Sequence, residues 1–363
     1  MKFGVIYEIC RPDPDWASEE DIYWQALEQC ELAEEVGFDH VWAVEHHFLE
    51  NYSLSSAPEV FLSAVAQRTE HIRIGHGVRL LPPPFNHPAR SAASAAVLDI
   101  LSRGRLDFGV GRSITEQELG GFGVPPEASR PMLDEVLPEI VKMWTHHTYP
   151  GHDGDHFTMP PRVVQPKPIQ APHPPLWMAC TQPASFEAAA SLGVGALAFG
   201  LGLPGSVAEA VDIYKRGIAS PTRQAGLFVN DNVGAAGFMF CADDARHASE
   251  VGGAAQLWYA ANAAALFAPW AAASVPGYEH YHELAKNPAL FEAEALRQRL
   301  DDVMSLVGTP DKVADGVRRY DALGVDQVIC IVQVGRVRHD DICESLRLFG
   351  KEVIPRFRPA DGD

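Results

Sequence analysis

Residues 39–48 read Asp39-His-Val-Trp-Ala-Val-Glu-His-His-Phe48, an apolar run that ends in one carboxylate and two imidazole groups. The apolar part predicts a short buried strand, so Glu45, His46 and His47 lie where that strand passes into a loop. Polar side chains at the exit of a strand are poor core material. In a barrel of parallel strands the active-site groups lie at the carboxyl ends of the strands. The stretch therefore predicts one wall of an active site.

Strand-like and helix-like segments alternate on both sides of this stretch. Short apolar runs are followed by segments with apolar residues at helical spacing, a pattern typical of parallel βα units with right-handed crossovers. Eight such strands are predicted, and they begin at Lys2, Val41, Ile72, Arg105, Leu176, Ala196, Val233 and Gln327. Eight βα units favour a closed α/β fold, the (β/α)8 TIM barrel, over an open doubly wound sheet.

Two segments interrupt the alternation. Residues 149–171 are rich in Pro, Gly and His and predict a hairpin or an extended excursion before the fifth strand. Residues 242–308 are alanine-rich and mostly helical, so we expect extra helices beside the barrel, or a lid over its mouth, before the last strand. Neither segment has the composition of a linker. We therefore expect residues 1–363 to form a single domain.

The composition is that of an ordinary globular protein, with 47% hydrophobic and 21% charged residues among 363. The formal net charge of −19 disfavours nucleic acid and anionic membranes as partners. No stretch approaches the roughly 20 apolar residues that span a bilayer, and the N-terminal residues enter a strand without an apolar signal region. We expect a cytoplasmic protein. Six scattered cysteines fit reduced thiols better than a disulfide framework.

The triplet Glu45-His46-His47 leaves three interpretations open. Carboxylate and imidazole groups are ligands of catalytic zinc or iron. Adjacent side chains of an extended chain point to opposite faces, however, so both histidines cannot face one ion without a bend. The other interpretations are a packed, hydrogen-bonded histidine pair and an acid/base or cofactor-contacting role. No metal site is expected here.

Several residues after later strands suit a flat, anionic ligand. Gly75 and Gly77 predict either a tight bend or close backbone approach to such a ligand. Arg112 and Arg130 can bind a phosphate or carboxylate through forked hydrogen bonds. A helix start offers further donors, although a simple helix cap explains these residues equally well; they are Thr181, Gln182 and Ser185. The glycines match neither a dinucleotide-binding fingerprint nor a P-loop.

Two other groups of residues are expected to be structural. Four histidines fall within eleven residues, but they precede a strand and so lie on the face opposite the predicted site; they are His146, His147, His152 and His156. We expect a solvated hairpin there. Cys180 ends a strand without an evident base, and buried packing is the expected role of its thiol.

The chain resembles the bacterial luciferase-like flavin-dependent monooxygenases over most of its length. The resemblance is carried by the order and spacing of several short motifs, which are Val44-Glu-His-His-Phe48, Leu80-Leu-Pro82 with His87-Pro88, Leu98-Asp-Ile-Leu-Ser-Arg-Gly-Arg105 with Phe108-Gly109 and Arg112, Phe122-Gly123 with Ser129-Arg130, and Gly308-Thr-Pro-Asp-Lys-Val with Leu323-Gly-Val-Asp326. The barrel of that family agrees with the predicted count of eight strands.

The resemblance implies a small, largely apolar organic substrate that is oxygenated by reduced FMN and O2 through a C4a-peroxyflavin. A separate NAD(P)H-dependent flavin reductase supplies the reduced flavin, and a homodimer is expected. By position, His46 matches the proton-handling histidine, with Glu45 orienting it or capping the floor of the site. Gly77-Val78 matches a non-prolyl cis peptide under the flavin. The phosphate-binding positions fall on Arg112, Arg130, Thr181, Gln182 and Ser185.

Gly111 occupies the position of a reactive cysteine in the light-emitting luciferases, so light emission is not expected. Some relatives on the same barrel use coenzyme F420 as a dehydrogenase or reductase, and this alternative stays open. A non-catalytic flavin-binding subunit of a heterodimer is a third possibility. Candidates for the lining of an apolar cavity are Trp42, Tyr52, Phe85 and the segment Leu257-Trp-Tyr259. A catalytic role for His47 is left open.

Overall fold

The computed structural model describes residues 1–199, 206–292 and 305–358. Within these residues, eight parallel strands close into a barrel with helices around it, which confirms the predicted (β/α)8 fold. The strands of the ring are β1 (Lys2–Tyr7), β2 (His40–Ala43), β3 (Arg73–His76) continued by β4 (Arg79–Leu80), β5 (Leu106–Gly111), β8 (Leu176–Cys180), β9 (Gly195–Phe199), β10 (Val233–Cys241) and β12 (Gln327–Ile331). Every predicted strand start lies within one residue of the observed start.

The ring closes through a continuous parallel register. Gly4 pairs with His40 on β2, and Lys2 pairs with Gln327 on β12. The pairing of β9 with β10 completes the circle, with Val233 opposite Ala196. Because all strands run in the same direction, their carboxyl ends meet at one rim of the barrel. The stretch that follows β2, including His46, therefore lies at that rim.

Helices follow most strands and cover the outside of the barrel. They are α1 (Glu19–Glu35), α2 (Pro58–Arg68), α3 (Pro88–Leu101), α4 (Glu116–Gly121), α5 (Pro126–Thr145), α6 (Pro183–Leu192), α7 (Ser206–Ile218), α11 (Pro310–Ala322) and α12 (His339–Glu352), with a short 3-10 helix at Ile354–Phe357. Sequence patterns explain several ends. Ser18 caps the first helix by accepting from the backbone N–H of Asp21, and Pro is the first residue of α2 and α3.

The third barrel strand is broken where the sequence predicts one continuous run. Residues Gly77 and Val78 separate β3 from β4, and the peptide bond between them is cis. This confirms the position expected from the resemblance. Gly75 has a packing role instead of a ligand-facing one, because a Cβ atom there would lie 2.1 Å from the ring of the buried Trp42.

The two insertions have the predicted character. The first contains an antiparallel hairpin formed by β6 (His152–Asp153) and β7 (Thr158–Met159). The second contains α8 (Ala245–His247), a π-helix (Ala248–Gly253), α9 (Ala254–Phe267), a 3-10 helix (Ala268–Ala272), α10 (Glu279–Ala285), a 3-10 helix (Pro288–Phe291) and the strand β11 (Leu306–Gly308), which pairs with the end of β10. Residues 293–304 of this predicted insertion lie outside the described residues.

The helices of the second insertion have a core of their own. Phe267, Trp270 and Tyr281 pack with residues of the loop that follows β5, including Leu119 and Val124. The Trp270 and Tyr278 rings stack with their centroids 4.5 Å apart. This apolar cluster holds the inserted helices against the rim of the barrel. Among the described residues, no helix is long and apolar enough to cross a membrane.

Candidate active site

A cavity of about 1350 Å³, including its mouth, opens at the carboxyl ends of the strands. Its wall contains residues that follow β1, β2, β5 and β8 together with residues of the inserted helices α9 and α10. Many of the predicted site residues line it, namely Glu45, His46, Gly77, Val78, Arg112, Arg130 and Thr181. The structure thus brings together residues that are far apart in the sequence.

The imidazole of His46 lies between two buried carboxyl groups. Its Nδ1 atom is 3.0 Å from Oε1 of Glu118, and its Nε2 atom is 3.5 Å from Oε2 of Glu8. Burial opposes a charge on the ring, but the charge and hydrogen bond of Glu118, followed by the charges of Glu8 and Glu45, raise the pKa of His46 to about 9. The ring is therefore an imidazolium at neutral pH.

Glu118 is held in its ionised form by several donors. Burial disfavours its charge, but the neighbouring imidazolium of His46 and the hydroxyl groups of Thr115 and Ser113 lower its pKa below the usual value. Both hydroxyls donate to Oε2, at 2.6 Å from Thr115 and 2.8 Å from Ser113. Thr115 also caps the short helix α4, which contains Glu118. The segment after β5, which includes α4, thus supplies the partner of His46.

The direct contacts of Glu45 are with residues other than His46. Its carboxylate lines the cavity, but its Oε1 atom lies 3.1 Å from Nε2 of His47, and no hydrogen bond joins it to His46. Glu45 also accepts from the backbone N–H of Leu80 at 2.8 Å and from the Asn86 side chain at 2.7 Å. A role of Glu45 in orienting His46 or in capping the floor of the site stays a prediction. This carboxylate joins the end of β2 to the segment around β4.

His46 and His47 point to different sides, as expected for adjacent residues of an extended chain. The His47 ring contacts that of Phe122 with centroids 4.9 Å apart, on the side of Glu45. Among the described residues, no group of three or more His, Cys, Asp or Glu side chains could hold a metal ion.

The bend at Gly77-Val78 forms a bare part of the cavity wall beside the end of β5. Gly111 faces this bend, and a Cβ atom there would lie 2.4 Å from Cγ2 of Val78. Gly109 lies two residues earlier in β5. A side chain has no room there either, because a Cβ atom would lie 2.0 Å from the backbone oxygen of His76. Glycine in β5 therefore allows β3 and β4 to approach closely.

Two arginines provide the positive charge of the cavity. Arg112 donates to Ser129 at 2.8 Å and to the backbone oxygen of Gly277, and its guanidinium lies 4.2 Å from the centroid of the Tyr278 ring. Arg130 lies near Asp134, with the closest N–O distance at 3.8 Å. Burial lowers the pKa of Arg130, and so does the charge of the neighbouring Arg112. The two guanidinium groups thus lie close together in this part of the cavity.

The remaining predicted anion-binding residues differ in their positions. Thr181 lines the cavity, and its hydroxyl is hydrogen-bonded to Tyr281 of α10. Gln182 and Ser185 form a capping box at the start of α6, where the Ser185 hydroxyl accepts from two backbone N–H groups and donates to the backbone oxygen of Gln182. The helix-cap interpretation accounts for the contacts of Gln182 and Ser185. An additional role of these residues in anion binding stays a prediction.

The predicted apolar lining is confirmed in part. Tyr52 and Tyr259 line the cavity, as expected. Trp42 does not, because it is fully buried inside the barrel, where its ring meets that of Trp177 edge-on at 5.5 Å. Phe85 packs instead against Phe122, with ring centroids 4.6 Å apart. Leu257 and Trp258 are also absent from the wall; its apolar part comes from Val44, Leu80, Ile114, Leu133, Ala263, Leu266 and Phe267.

The residues expected to be structural have ordinary partners. His152 of the hairpin lies 2.9 Å from Glu135, so it is paired and not simply solvated, whereas His146 and His147 are exposed. All six cysteines are free and buried. Burial raises the pKa of the Cys180 thiol to about 12, which keeps it protonated and supports its packing role.

The comparison with known families decides the identity of the barrel. The model of the luciferase-like monooxygenase family matches residues 1–327. The chain belongs to this family. The following proteins show how similar this chain is to individual luciferase-like monooxygenases.

One curated relative is the oxygenase component of the flavin-dependent trigonelline monooxygenase of Acinetobacter baylyi, which is 31% identical over 195 residues, or 53% of this chain. The match spans only 52% of the length of that relative. The crystal structure of the monooxygenase RslO1 from Streptomyces bottropensis has a TM-score of 0.81 at 27% identity and covers 99% of this chain and 100% of its own.

A second solved structure shares the fold at lower identity. It is the oxygenating constituent of the 3,6-diketocamphane monooxygenase of Pseudomonas putida, solved in complex with FMN. Its TM-score is 0.77 at 20% identity, with 99% of each chain covered. The two luciferase-like barrels are therefore similar in structure although only 20% of their aligned residues are identical.

Sequence reasoning missed several residues of this luciferase-like site. Glu8 follows β1 directly, and its position at a strand exit is the same signal that identified Glu45 and His46. Glu118 lies in a segment that reads as a glycine-rich loop, so its burial could not be anticipated. The residues of α10 in the cavity wall, His280 and Tyr281, gave no signal because the packing of the insertion cannot be read from spacing.

Proposed function

We propose that this luciferase-like protein is a flavin-dependent monooxygenase that uses reduced FMN and O2 to oxygenate a small, largely apolar organic substrate. One observation carries the proposal: an imidazolium paired with a buried carboxylate lines the same cavity as two arginines. These groups are His46 with Glu118, and Arg112 with Arg130. The first pair can manage a proton, and the second can bind the phosphate of a cofactor.

The residues of the cavity fit FMN. Arg112 and Arg130 concentrate positive charge beside Thr181, which is the donor chemistry that a phosphate monoester requires. The start of α6, with Gln182 and Ser185, extends this proposed phosphate site toward a helix N-terminus. The bare surface at Gly77-Val78 suits the flat ring system of a flavin, since it presents backbone and one small side chain.

FMN in its reduced form supplies electrons, and with O2 it supplies the oxygen atom that the substrate receives. The protein supplies a proton and excludes water. With a pKa of about 9, His46 holds a proton on Nε2, the ring nitrogen that faces the side of Glu8, while Nδ1 faces Glu118. Its proposed role is to donate this proton or a hydrogen bond within the cavity. Glu45, which lines the cavity, keeps a proposed supporting role through His47.

The apolar part of the wall supports the proposed class of substrate. Val44 and Leu80 approach the cavity from the barrel, and Ala263, Leu266 and Phe267 approach it from α9. Such a lining excludes water from the reacting groups and favours apolar ligands. The inserted helices therefore have the proposed role of a cover for the cavity.

The reduced flavin is proposed to come from a separate NAD(P)H-dependent flavin reductase. The trigonelline monooxygenase relative is named as an oxygenase component, which fits a division of labour between two proteins. The present sequence supports this division because it contains no dinucleotide-binding fingerprint. We propose a cytoplasmic location, in which such a reductase and its nicotinamide cofactor are accessible.

A homodimer is proposed to form through α1, α2 and α3. These neighbouring helices expose large apolar side chains, which are Trp24, Val60, Val97, Ile100 and Leu101. Exposed apolar side chains clustered on adjacent elements are typical of a protein interface. The chain as a whole, residues 1–363, is proposed to be one domain with insertions at 149–171 and 242–308.

Anaerobic titration with reduced FMN, followed by absorbance, tests the proposal most directly. We expect saturable binding of reduced FMN, weaker binding of reduced coenzyme F420, and loss of FMN binding in the double variant R112A/R130A. The matched control is Arg162→Ala, which removes an exposed arginine of the hairpin. Preferential binding of F420, with hydride transfer in strict anaerobiosis, would instead establish the dehydrogenase or reductase alternative.

Admission of 18O2 to the FMN complex with candidate substrates then tests the reaction. A monooxygenase incorporates one labelled oxygen atom into its product, and we expect this incorporation to fall about 100-fold in His46→Ala. Binding of reduced FMN without labelled product from any candidate, and without any effect of His46→Ala on flavin oxidation, would favour a non-catalytic flavin-binding subunit.

A further inference from the structure

One buried carboxyl group of the cavity wall has an oxygen atom without a hydrogen bond. Glu8 follows β1 and is buried at 2% exposure, yet it lines the cavity. Its Oε1 atom accepts a hydrogen bond of 2.7 Å from the hydroxyl of Tyr259. Its Oε2 atom has no hydrogen-bond partner among the described residues. It lies 3.5 Å from Nε2 of His46, in an ion pair without a hydrogen bond. A buried carboxyl oxygen without a hydrogen bond is costly, so its position at a ligand cavity requires an explanation.

Two tyrosines fix the orientation of this carboxyl group. The Tyr52 hydroxyl donates to the hydroxyl of Tyr259, which donates in turn to Oε1 of Glu8. A phenolic hydroxyl has a single hydrogen, so both hydrogens are used within this chain of bonds. The tyrosines come from different elements, since Tyr52 lies in the loop after β2 and Tyr259 lies in α9. The arrangement leaves Oε2 of Glu8 as an acceptor without a hydrogen bond.

A donor lies beside this acceptor. Nε2 of His46 is 3.5 Å from Oε2 of Glu8, which is longer than a good hydrogen bond between nitrogen and oxygen. The two atoms are too close to admit another atom between them, but one oxygen atom of a ligand beside the pair can contact both. A hydroxyl group matches the pair, because it can donate to Oε2 and accept from Nε2–H. An ether oxygen can only accept, and it leaves Glu8 unpartnered.

We infer that Glu8 and His46 form a recognition site for a hydroxyl group of the organic substrate, and that the substrate is a phenol-like compound with one such group on an apolar ring. The apolar side chains of Val44, Ala263 and Leu266 in the same cavity suit the ring. The inference rests on the proposed function, because it takes this cavity to be the substrate site. In this arrangement Tyr52 and Tyr259 are positioning residues that orient Glu8.

A matched pair of probes tests this site. 2-Naphthol carries the hydroxyl group, whereas 2-methoxynaphthalene has the same ring with an ether in its place. Calorimetric titration of the FMN-bound protein is expected to give about tenfold tighter binding of 2-naphthol, the effect of one hydrogen bond to a charged or strongly polar group. Glu8→Leu is expected to bind both probes equally. The control Glu116→Gln removes an exposed carboxylate of α4 and is expected to keep the tenfold preference.

Equal affinity of the two probes for the wild-type protein overturns the inference, as does failure of both to bind or a full preference in Glu8→Leu. Should Glu8→Leu fail to fold, Tyr259→Phe replaces it. This variant removes the hydroxyl that orients Glu8. Its preference for 2-naphthol over 2-methoxynaphthalene is expected to fall at least threefold, and an unchanged preference overturns the inference. Titration of reduced FMN on the same preparations separates the two proposals. Normal FMN binding without a hydroxyl preference removes only the substrate inference, whereas failure to bind reduced FMN, with the preference for 2-naphthol retained in titrations of the flavin-free protein, removes the proposed function.

Discussion

Nδ1 of His46, which follows β2, lies 3.0 Å from Oε1 of Glu118, which lies in α4 after β5. Glu118 is buried, and the backbone N–H of His47 donates to the same carboxylate oxygen at 2.9 Å. The carboxylate therefore fixes both the charge of the imidazole and the path of the chain that carries it. The ion pair is an integral part of the site, and its removal should affect the protonation of His46 before it affects the fold of the barrel.

Glu118→Gln tests this dependence. The variant keeps the volume of the side chain but removes the negative charge, so we expect the pKa of His46 to fall well below its value of about 9. The free energy of unfolding should fall by about 3 kcal/mol, because a buried charge loses its partner. NMR titration of the labelled histidines measures the first effect, and urea unfolding measures the second. Glu116→Gln on the same helix is the control, and an unchanged pKa of His46 in E118Q would contradict the assignment.

The raised pKa of His46 predicts a specific dependence of stability on pH. In the unfolded chain a histidine titrates near 6.5, whereas in the folded protein His46 titrates at about 9. The folded state thus binds the proton more tightly, and the stabilisation is fully present below pH 6.5 and is lost as the pH rises through 9. Its size is about 3 kcal/mol. Urea unfolding of the wild type and His46→Gln between pH 6 and 10 should show the difference between them shrinking over this interval.

Arg130→Met should weaken the binding of FMN by at least about tenfold, since a charge-assisted contact to the phosphate is lost. Riboflavin, which has the same ring system without the phosphate, should bind the variant and the wild type equally. This comparison separates a phosphate contact from a general effect on the cavity. Fluorescence titration with both flavins provides the measurement, with Arg162→Met as the exposed control. A parallel loss of riboflavin affinity would argue against a phosphate site at Arg130.

The barrel and the position of His46 could be predicted because both depend on local patterns. Apolar runs give the strands, and the polar triplet after β2 shows where the second strand leaves the core. The partner of His46 could not be predicted, because Glu118 is distant in sequence and becomes buried only when α4 packs under the inserted helices. Glu8 could have been found, since it follows β1 as directly as Glu45 follows β2.

The contacts of Glu45 also differ from those that its place in the sequence suggested. Sequence proximity suggested that Glu45 orients His46, but the alternation of side chains along an extended chain places residues two apart on the same face. Glu45 and His47 obey this rule and pair with each other. The predicted lining failed at Trp42 for a related reason. Its side chain points into the barrel interior against Gly75, below the level of the cavity.

Gly111→Ala tests whether close approach of two strands shapes the cavity wall. The added Cβ atom would lie 2.4 Å from Cγ2 of Val78, so the bend at Gly77-Val78 must shift. We expect a loss of about 1–3 kcal/mol in the free energy of unfolding, together with weaker FMN binding. Gly253→Ala is the matched control, because its nearest neighbour would be Oγ of Ser249 at 3.9 Å. Normal stability and FMN affinity in G111A would show that the wall can adjust at this point.

His47→Gln addresses the question that the histidine pair left open. The His47 ring lies against Phe122 and binds Glu45, and it does not line the cavity, so we expect a structural role. The variant should lose about 1–2 kcal/mol in the free energy of unfolding, because Glu45 loses one hydrogen bond and the ring contact is removed. Glu45 retains its bonds to Leu80 and Asn86, which limits the damage. The rate at which the bound reduced FMN reacts with O2 should stay within about twofold of the wild type, whereas His46→Gln should change it by at least tenfold. Stopped-flow absorbance of the two variants in parallel measures this contrast, and an equal effect of both substitutions would assign a catalytic role to His47 as well.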